Sequence, residues 1–415
     1  MNRAWHDACV ADLAARAFGL GGGPSGPPRI GAEVELIPVD AVSRRIAPID
    51  SPGVPSTRPA LRAMACRVGW TERRSTKSGQ MEFHTASGGR ITFEPGGQVE
   101  YASPPLPSVT ELLADIREHT AVIREALSRA GLDGVFAGID PVNEIDDVPL
   151  QMDAPRYRRM DGHFASIGPY GARMMRQTAS IQISVDVGDD PLQRWRLLNG
   201  MAPFLAAMFA NAPVYGGRQT DEASIRRQAW GRLDPGRTGL PCDEAAPVEA
   251  YADFAMRAAS ILGPVDRPPF PPFAALPPVV AAANGWERHL STLFPEIRPR
   301  GYFEIRSIDA LDPAWYAAPL VMVAGLALDA ETAAEAGDLV GRPDPALLEP
   351  AGRVALAEPR LGRIAGDLAR LAVSGAESLG ARLVGRADLD EATAFFDRFT
   401  WAGRAPADVS PVAVA

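Results

Sequence analysis

Lysine is almost absent from this chain. Lys77 is the single lysine among 42 basic residues in 415, so the other 41 are arginine. A phosphate-binding loop needs a lysine directly after its glycines, and Lys77 follows Arg-Arg-Ser-Thr, so that loop is excluded. Kinase and Schiff-base chemistry would likewise rest on this one side chain. If the protein handles ATP, metal ions and arginine must carry the phosphate charge. Cysteine is scarce too: Cys9, Cys66 and Cys242 are far apart and form no C-x-x-C, which suggests reduced thiols in a cytoplasmic protein. The five histidines show no H-E-x-x-H and no zinc-ligand spacing.

No apolar run approaches the roughly 20 residues that span a bilayer, although MAPFLAAMFA at 201–210 is locally apolar. The start, MNRAWHDACVADLAARAF, is broken by Asp and Arg and does not read as a signal peptide. Acidic residues outnumber basic ones, 51 to 42, for a net charge of −9. That balance argues against nucleic acid or an anionic membrane as the main partner. With 46% hydrophobic and 22% charged residues, the chain has an ordinary globular composition. No repeat and no clear linker divides it, so one domain over 1–405 with a flexible tail at 406–415 is expected.

The pattern is α+β. An amphipathic helix is expected over 2–19, a loop over 21–28 and a strand over 30–39. A further helix is expected over 58–68, and a hairpin over 81–94. Ser108 and Glu111 form a capping box that opens a helix carrying Leu112, Leu113, Ile116, Ile123 and Leu127. Strands are expected over 134–139, about 176–187 and 301–308, and a long helix over 191–211. The Arg- and Gly-rich stretch 213–245 reads as a long loop, and 264–278, with seven prolines, as an irregular connector. Ala- and Leu-rich helices fill 313–402.

Side chains two apart on a strand share a face. In RIGAEVELI the residues Ile30, Ala32, Val34 and Leu36 face one way, and Glu33 and Glu35 the other. This sets two carboxylates roughly 6–7 Å apart. In RITFEPGGQVEYAS, Glu94 ends a strand, Pro-Gly-Gly turns, and Gln98 and Glu100 re-emerge on one face. The two glycines allow close approach of a ligand. In RMMRQTASIQISVDV a polar row of Arg176, Thr178, Ser180, Gln182 and Ser184 opposes an apolar one, and it suits an amino-acid zwitterion. In PRGYFEIRSIDAL, Glu304 and Arg306 share a face. Any one of these rows reads as a solvated strand face or a surface ion pair. Four together can be assembled into a sheet lined with five Glu. Such a lining repels itself unless it holds divalent cations, and all-oxygen ligands suit Mg²⁺ or Mn²⁺.

Four motifs occur in order: G-x-E-x-E at 31–35, E-P-G-G-Q-x-E at 94–100, M-M-x-x-T-x-x-x-Q at 174–182 and F-E-I-R at 303–306. Together they resemble glutamate–cysteine ligase of the plant and bacterial type, in the glutamine-synthetase-like carboxylate–amine ligase superfamily. The likeness continues through NAPVYGG…SIRRQAWGRLDPGRTG (211–239) and WERHLSTLFPEIRPR (286–300), and so covers most of 30–310. The Arg- and Ala-rich form looks closest to the actinobacterial branch that feeds ergothioneine synthesis.

The resemblance implies a curved antiparallel sheet lined with carboxylates around ATP and Mg²⁺, with helices outside it and at the C-terminus. It implies that Glu35, Glu94 and Glu100 hold one metal, and Glu33, Gln182 and Glu304 the metal that bridges the phosphates. Arg306 would meet the transferring γ-phosphoryl group. Arg176 and Thr178, with Arg226 or Arg237, would bind the glutamate carboxylate or nucleotide phosphates. Ile181, Tyr101 and Ala102 fall where many relatives carry other residues, which bears on acceptor specificity. The implied reaction phosphorylates the glutamate γ-carboxylate, and the amine of cysteine then displaces phosphate. A γ-glutamyl ligase with another amine acceptor, or a catalytically idle binding homologue, are the alternatives.

Overall fold

The computed structural model describes residues 3–22, 26–76, 79–243 and 245–409; Lys77 and the end of the expected tail, 410–415, lie outside these. Period-two apolar patterning builds one nine-stranded sheet. Its strands are β1 (Ile30–Asp40), β2 (Thr71–Arg74), β3 (Met81–His84), β4 (Arg90–Phe93), β5 (Val99–Ala102), β6 (Leu132–Val135), β7 (Ser180–Asp186), β8 (Ile297–Pro299) and β9 (Tyr302–Asp309). They are ordered β8-β9-β7-β1-β5-β4-β3-β2, with β6 pairing the C-terminal half of β1. Each pairing is antiparallel.

The helices that matter for the site are α1 (Val109–Arg129), α2 (Pro155–Ala165), α3 (Tyr170–Gln177), α4 (Pro191–Met208) and α5 (Ile225–Leu233). Further on, α6 (Ala317–Ala327) and α7 (Pro359–Leu379) belong to the C-terminal helical layer. The expected cap opens α1, where Ser108 Oγ accepts from the Glu111 N–H at 3.1 Å. One face of the sheet is core: Ala32, Val34, Leu36, Ile181, Ile183, Val185, Phe303 and Ile305 are all buried. α1 and α4 pack against that side. α6 is buried along its whole length, and no single helix among the described residues is long and apolar enough to cross a membrane.

Four stretches differ from the sequence reading. The strand expected from 176 starts at Ser180, and Arg176 lies on α3 instead. Thr178 makes the break, turning to extended backbone while its Oγ1 donates to Met174 O at 2.7 Å. The strand expected at 134–139 is shifted forward to β6. The expected loop 213–245 contains α5, which Ser224 opens by accepting from the Arg227 N–H at 3.0 Å. Its arginines and glycine mask an apolar face of Ile225, Ala229, Trp230 and Leu233, all buried. The expected tail begins docked, because Pro406–Asp408 forms a 3-10 turn and the Ala407 N–H donates to Ala210 O at 2.9 Å.

Candidate active site

The other face of the sheet lines a cavity of about 410 Å³. Strand alternation places Glu33 and Glu35 of β1, Glu100 of β5, Gln182 of β7 and Glu304 and Arg306 of β9 in its wall, with Glu94 from the β4–β5 turn. The register is specific. Glu33 lies opposite Gln182, Glu35 opposite Glu100, and Glu304 opposite Arg298. Between Ile305 and Ile308, β9 carries a bulge against β7. The bulge sets Ile308 rather than Ser307 opposite Ile181, which keeps both isoleucines in the core, while Arg306 follows the register before it and donates to Gln182.

Five Glu side chains meet in this wall, but their surroundings differ. Among the described residues, Glu33, Glu35, Glu94 and Glu100 make no ion pair, and their hydrogen bonds come from neutral groups. Ser180 N–H donates to Glu35 Oε2 at 2.7 Å, Gln182 Nε2 to Glu35 Oε1 at 3.2 Å, and Thr92 Oγ1 to Glu100 Oε1 at 2.8 Å. Burial, then the neighbouring Glu100 and Glu304 charges, push Glu33 up to about 8. Burial and then Glu35 push Glu100 up to about 7. Glu94 is raised well above its usual range by burial and then by Glu100, and Glu35 is raised by burial against the pull of Arg226 and Arg306. Glu304 is the exception. Burial pushes it up, but Arg298, Arg306 and Arg300 together outweigh burial and hold it low. Their nearest nitrogens lie 3.3, 3.2 and 3.8 Å from its oxygens.

Among the described residues, no three carboxylates stand close enough to hold a metal ion as they are. The donor set fits one nonetheless: it is all oxygen, and four of its carboxylates are half-buried in the wall with no ion-pair partner. That is the chemistry of a hard divalent cation.

Of the residues expected to bind substrate, Thr178 and Arg226 line the cavity. Arg226 Nη2 donates to Arg306 O at 2.7 Å, and its Nη1 lies 3.4 Å from Asp309. Arg176 and Arg237 do not line it. Arg176 pairs with Asp161 from its place on α3. Arg237 is fully buried and donates to Asp234, Thr292 and Ala259 O, so its fork is used inside the protein. The glycines of the E-P-G-G turn admit protein rather than ligand. A Cβ on Gly96 would lie 1.9 Å from Arg176 O, and one on Gly97 2.4 Å from the Gln151 amide. Tyr101 and Ile181 point into the core, whereas Ala102, opposite Glu33 on the ladder, shares the carboxylate face; none of the three lines the cavity.

The sequence reading missed Arg156, Arg298, Arg300 and Trp230, all in the wall. Arg298 and Arg300 are two apart just before β9, the same spacing that singled out Glu304 and Arg306. Trp230 follows Arg226 by four residues on α5, which puts both on one helix face. The guanidinium carbons of Arg226 and Arg306 each lie 5.3 Å from its ring centroid. Met160, Met174, Met175 and Phe294 complete an apolar side of the cavity.

The nine-stranded antiparallel sheet, with an apolar back and a front of glutamates and arginines, has the glutamine-synthetase-like fold expected from the sequence. The solved glutamate–cysteine ligase of Francisella tularensis, in complex with AMP, superposes with a TM-score of 0.54 at 12% identity, covering 92% of this chain and 83% of that one. The chain belongs to the glutamate–cysteine ligase family 2, whose model matches residues 29–379. It is 33% identical over 342 residues to the glutamate–cysteine ligase EgtA of Mycolicibacterium smegmatis, 77% of each chain. It is 30% identical over 237 residues to the chloroplastic glutamate–cysteine ligase of Medicago truncatula, 53% of this chain and 46% of that one. The mycobacterial relative agrees with the branch expected from the sequence.

Proposed function

We propose that this protein joins the γ-carboxylate of glutamate to the amine of cysteine, consuming ATP through a γ-glutamyl phosphate and releasing ADP and phosphate. One observation carries the reading: four half-buried carboxylates without ion pairs share a cavity with Arg306 and Arg226. An anion-lined wall beside preorganised guanidinium groups suits transfer of a phosphoryl group onto a carboxylate. Family membership and the mycobacterial relative support the same substrates.

Glu35, Glu94 and Glu100 would hold one Mg²⁺ or Mn²⁺, and Glu33, Gln182 and Glu304 a second. When bound, these ions supply positive charge against the phosphate oxygens. Arg306 stabilises the phosphoryl group in transit, where its planar fork spans two oxygens. Arg226, held by Asp309 and by the Arg306 carbonyl, orients that carbonyl strand and adds charge at the same end of the cavity. Thr178 closes the wall behind the glutamate. The γ-glutamyl phosphate is then attacked by the cysteine amine. A C–N bond forms, the C–O bond to phosphate breaks, and the amine proton leaves to solvent or to a carboxylate of the wall. We place this chemistry in one domain over 1–405, in the cytoplasm, with small molecules as the only partners required.

The test of the intermediate is isotopic. Glutamate labelled with ¹⁸O in its γ-carboxylate should deliver one labelled oxygen to the released phosphate. Unlabelled phosphate would exclude the acyl phosphate.

A further inference from the structure

Two of the three side chains assigned above to the phosphate-facing cation are already engaged. Arg306 Nη1 donates to Gln182 Oε1 and to Glu304 Oε1. We propose that the Arg306 guanidinium is a built-in counter-ion for Gln182 and Glu304, which a divalent cation must displace, so that metal loading releases Arg306 toward the phosphoryl group. This rests on the cation reading of the site.

The geometry supports exchange in three ways. A cation coordinating these oxygens at about 2.0–2.1 Å would occupy the space the guanidinium now fills, so the two cannot share them. The Arg306 backbone is fixed, since its N–H donates to Glu296 O at 2.9 Å. Glu296 is itself held by Arg227 and by Ser307 Oγ, so only the side chain is left to move. The guanidinium is also only partly satisfied where it sits: its Nε is buried without a hydrogen-bond partner. The guanidinium carbon already lies 5.3 Å from the Trp230 ring centroid, a contact the side chain can keep while its Nη1 turns away from the two oxygens.

Glu304 can release Arg306 without becoming an uncompensated charge. Arg298 Nε stays 3.3 Å from its Oε2 and Arg300 Nη1 3.8 Å from its Oε1. Arg298 is held there by the ladder, as the direct cross-strand partner of Glu304. Gln182 keeps its bond to Glu35. The wall thus has two balanced states, one closed by arginine and one by metal.

The measurement is calorimetric titration of the full chain with Mn²⁺ in the absence of nucleotide, for wild type, Arg306→Leu and Arg300→Gln. Removing the competitor should tighten Mn²⁺ binding by about tenfold or more in Arg306→Leu, the size of an ordinary coupling between two sites. Arg300 is half exposed and farther from the carboxylate, so its loss should change binding by less than about threefold. Melting should show Arg306→Leu below wild type in EDTA and level with it in saturating Mn²⁺. Equal Mn²⁺ affinity in Arg306→Leu and wild type would overturn the proposal, as would equal tightening in both variants. If Arg306→Leu does not fold, Arg306→Lys carries the test. Its shorter side chain keeps the charge but holds the two oxygens less closely, so binding tightens by a smaller factor, and no change overturns the proposal. Failure of wild type to bind Mn²⁺ even with ATP present would overturn the cation reading itself, a result distinct from the others.

Discussion

Glu35 and Glu100 are direct cross-strand partners on the β1–β5 ladder, and both carboxylates face the same cavity. Like charges placed opposite one another weaken a sheet. Here neutral donors hold them: Ser180 and Gln182 on the β7 side of Glu35, and Thr92 on the β4 side of Glu100. The pair is a strain that the fold keeps at the centre of its site, and its consequences are measurable.

The first consequence is a pH dependence of stability. Glu33 and Glu100 titrate near 8 and 7 in the folded chain, against an ordinary 4.5. The folded state therefore keeps protons that the unfolded state has released. Its extra stability is fully present below pH 4.5 and is lost as pH rises through 7 and 8. His289, driven down to about 3 by burial from its usual 6.5, works the other way at acid pH, so the clean window lies above 6.5. Melting temperature in EDTA should fall between pH 6.5 and about 8, and Mg²⁺ with ATP should remove most of the fall. A flat profile in EDTA would show that burial and the neighbouring carboxylates do not raise Glu33 and Glu100.

Glu100→Gln should separate stability from activity. Removing one charge of the Glu35–Glu100 pair should leave the metal-free protein as stable or more stable, by up to about 1 kcal/mol. ATP turnover should fall by about 10²–10³. Glu111→Gln is the control, because Glu111 is exposed in the first turn of α1 and far from the wall. Similar activity losses in two well-folded variants would remove Glu100 from the site.

Arg237 should behave as a structural residue. Arg237→Leu leaves the buried carbonyls of Thr292 and Ala259 without their donor and leaves Asp234 with only His163 and the Gly236 N–H, and breaking a buried pair costs about 3–5 kcal/mol. In the fraction that folds, KM for glutamate and for ATP should stay near wild type. A large KM change at unchanged melting temperature would return Arg237 to the substrate.

Most of the sheet and all five glutamates were legible because strand alternation is a local rule. It needs only Ile30, Ala32, Val34 and Leu36 against Glu33 and Glu35 to show two faces. What failed was tertiary. Arg176 shares spacing with Thr178 and Gln182, yet the helix Tyr170–Gln177 extends through it, and no periodicity marks where α3 yields to β7. The helix α5 was hidden because its buried face includes Arg226 and Arg227, which composition reads as solvated. The glycines of E-P-G-G were read as room for a ligand, but Gly96 is filled by the carbonyl of Arg176, which arrives from a distant point in the chain. Arg298 and Arg300 obeyed the same alternation as Glu304 and Arg306 and were findable by it.

Arg306→Lys keeps the charge and loses the fork. An interaction made mainly in the transition state should lower kcat and kcat/KM together, by about 10²–10³, with little change in KM for ATP. Steady-state ADP release at saturating glutamate and cysteine measures this, once both proteins are shown to melt alike. Near-wild-type kcat would place Arg306 outside the chemistry and leave Arg226 as the candidate.

The most direct measurement is ADP release with ATP, Mg²⁺ and glutamate, alone and with each of a panel of amines, with the peptide product identified by mass. The expected result is turnover with cysteine far above every other amine, giving γ-glutamylcysteine in a one-to-one ratio with ADP. Turnover with a different amine in place of cysteine, or no glutamate-dependent ADP release with any of them, would contradict the assignment.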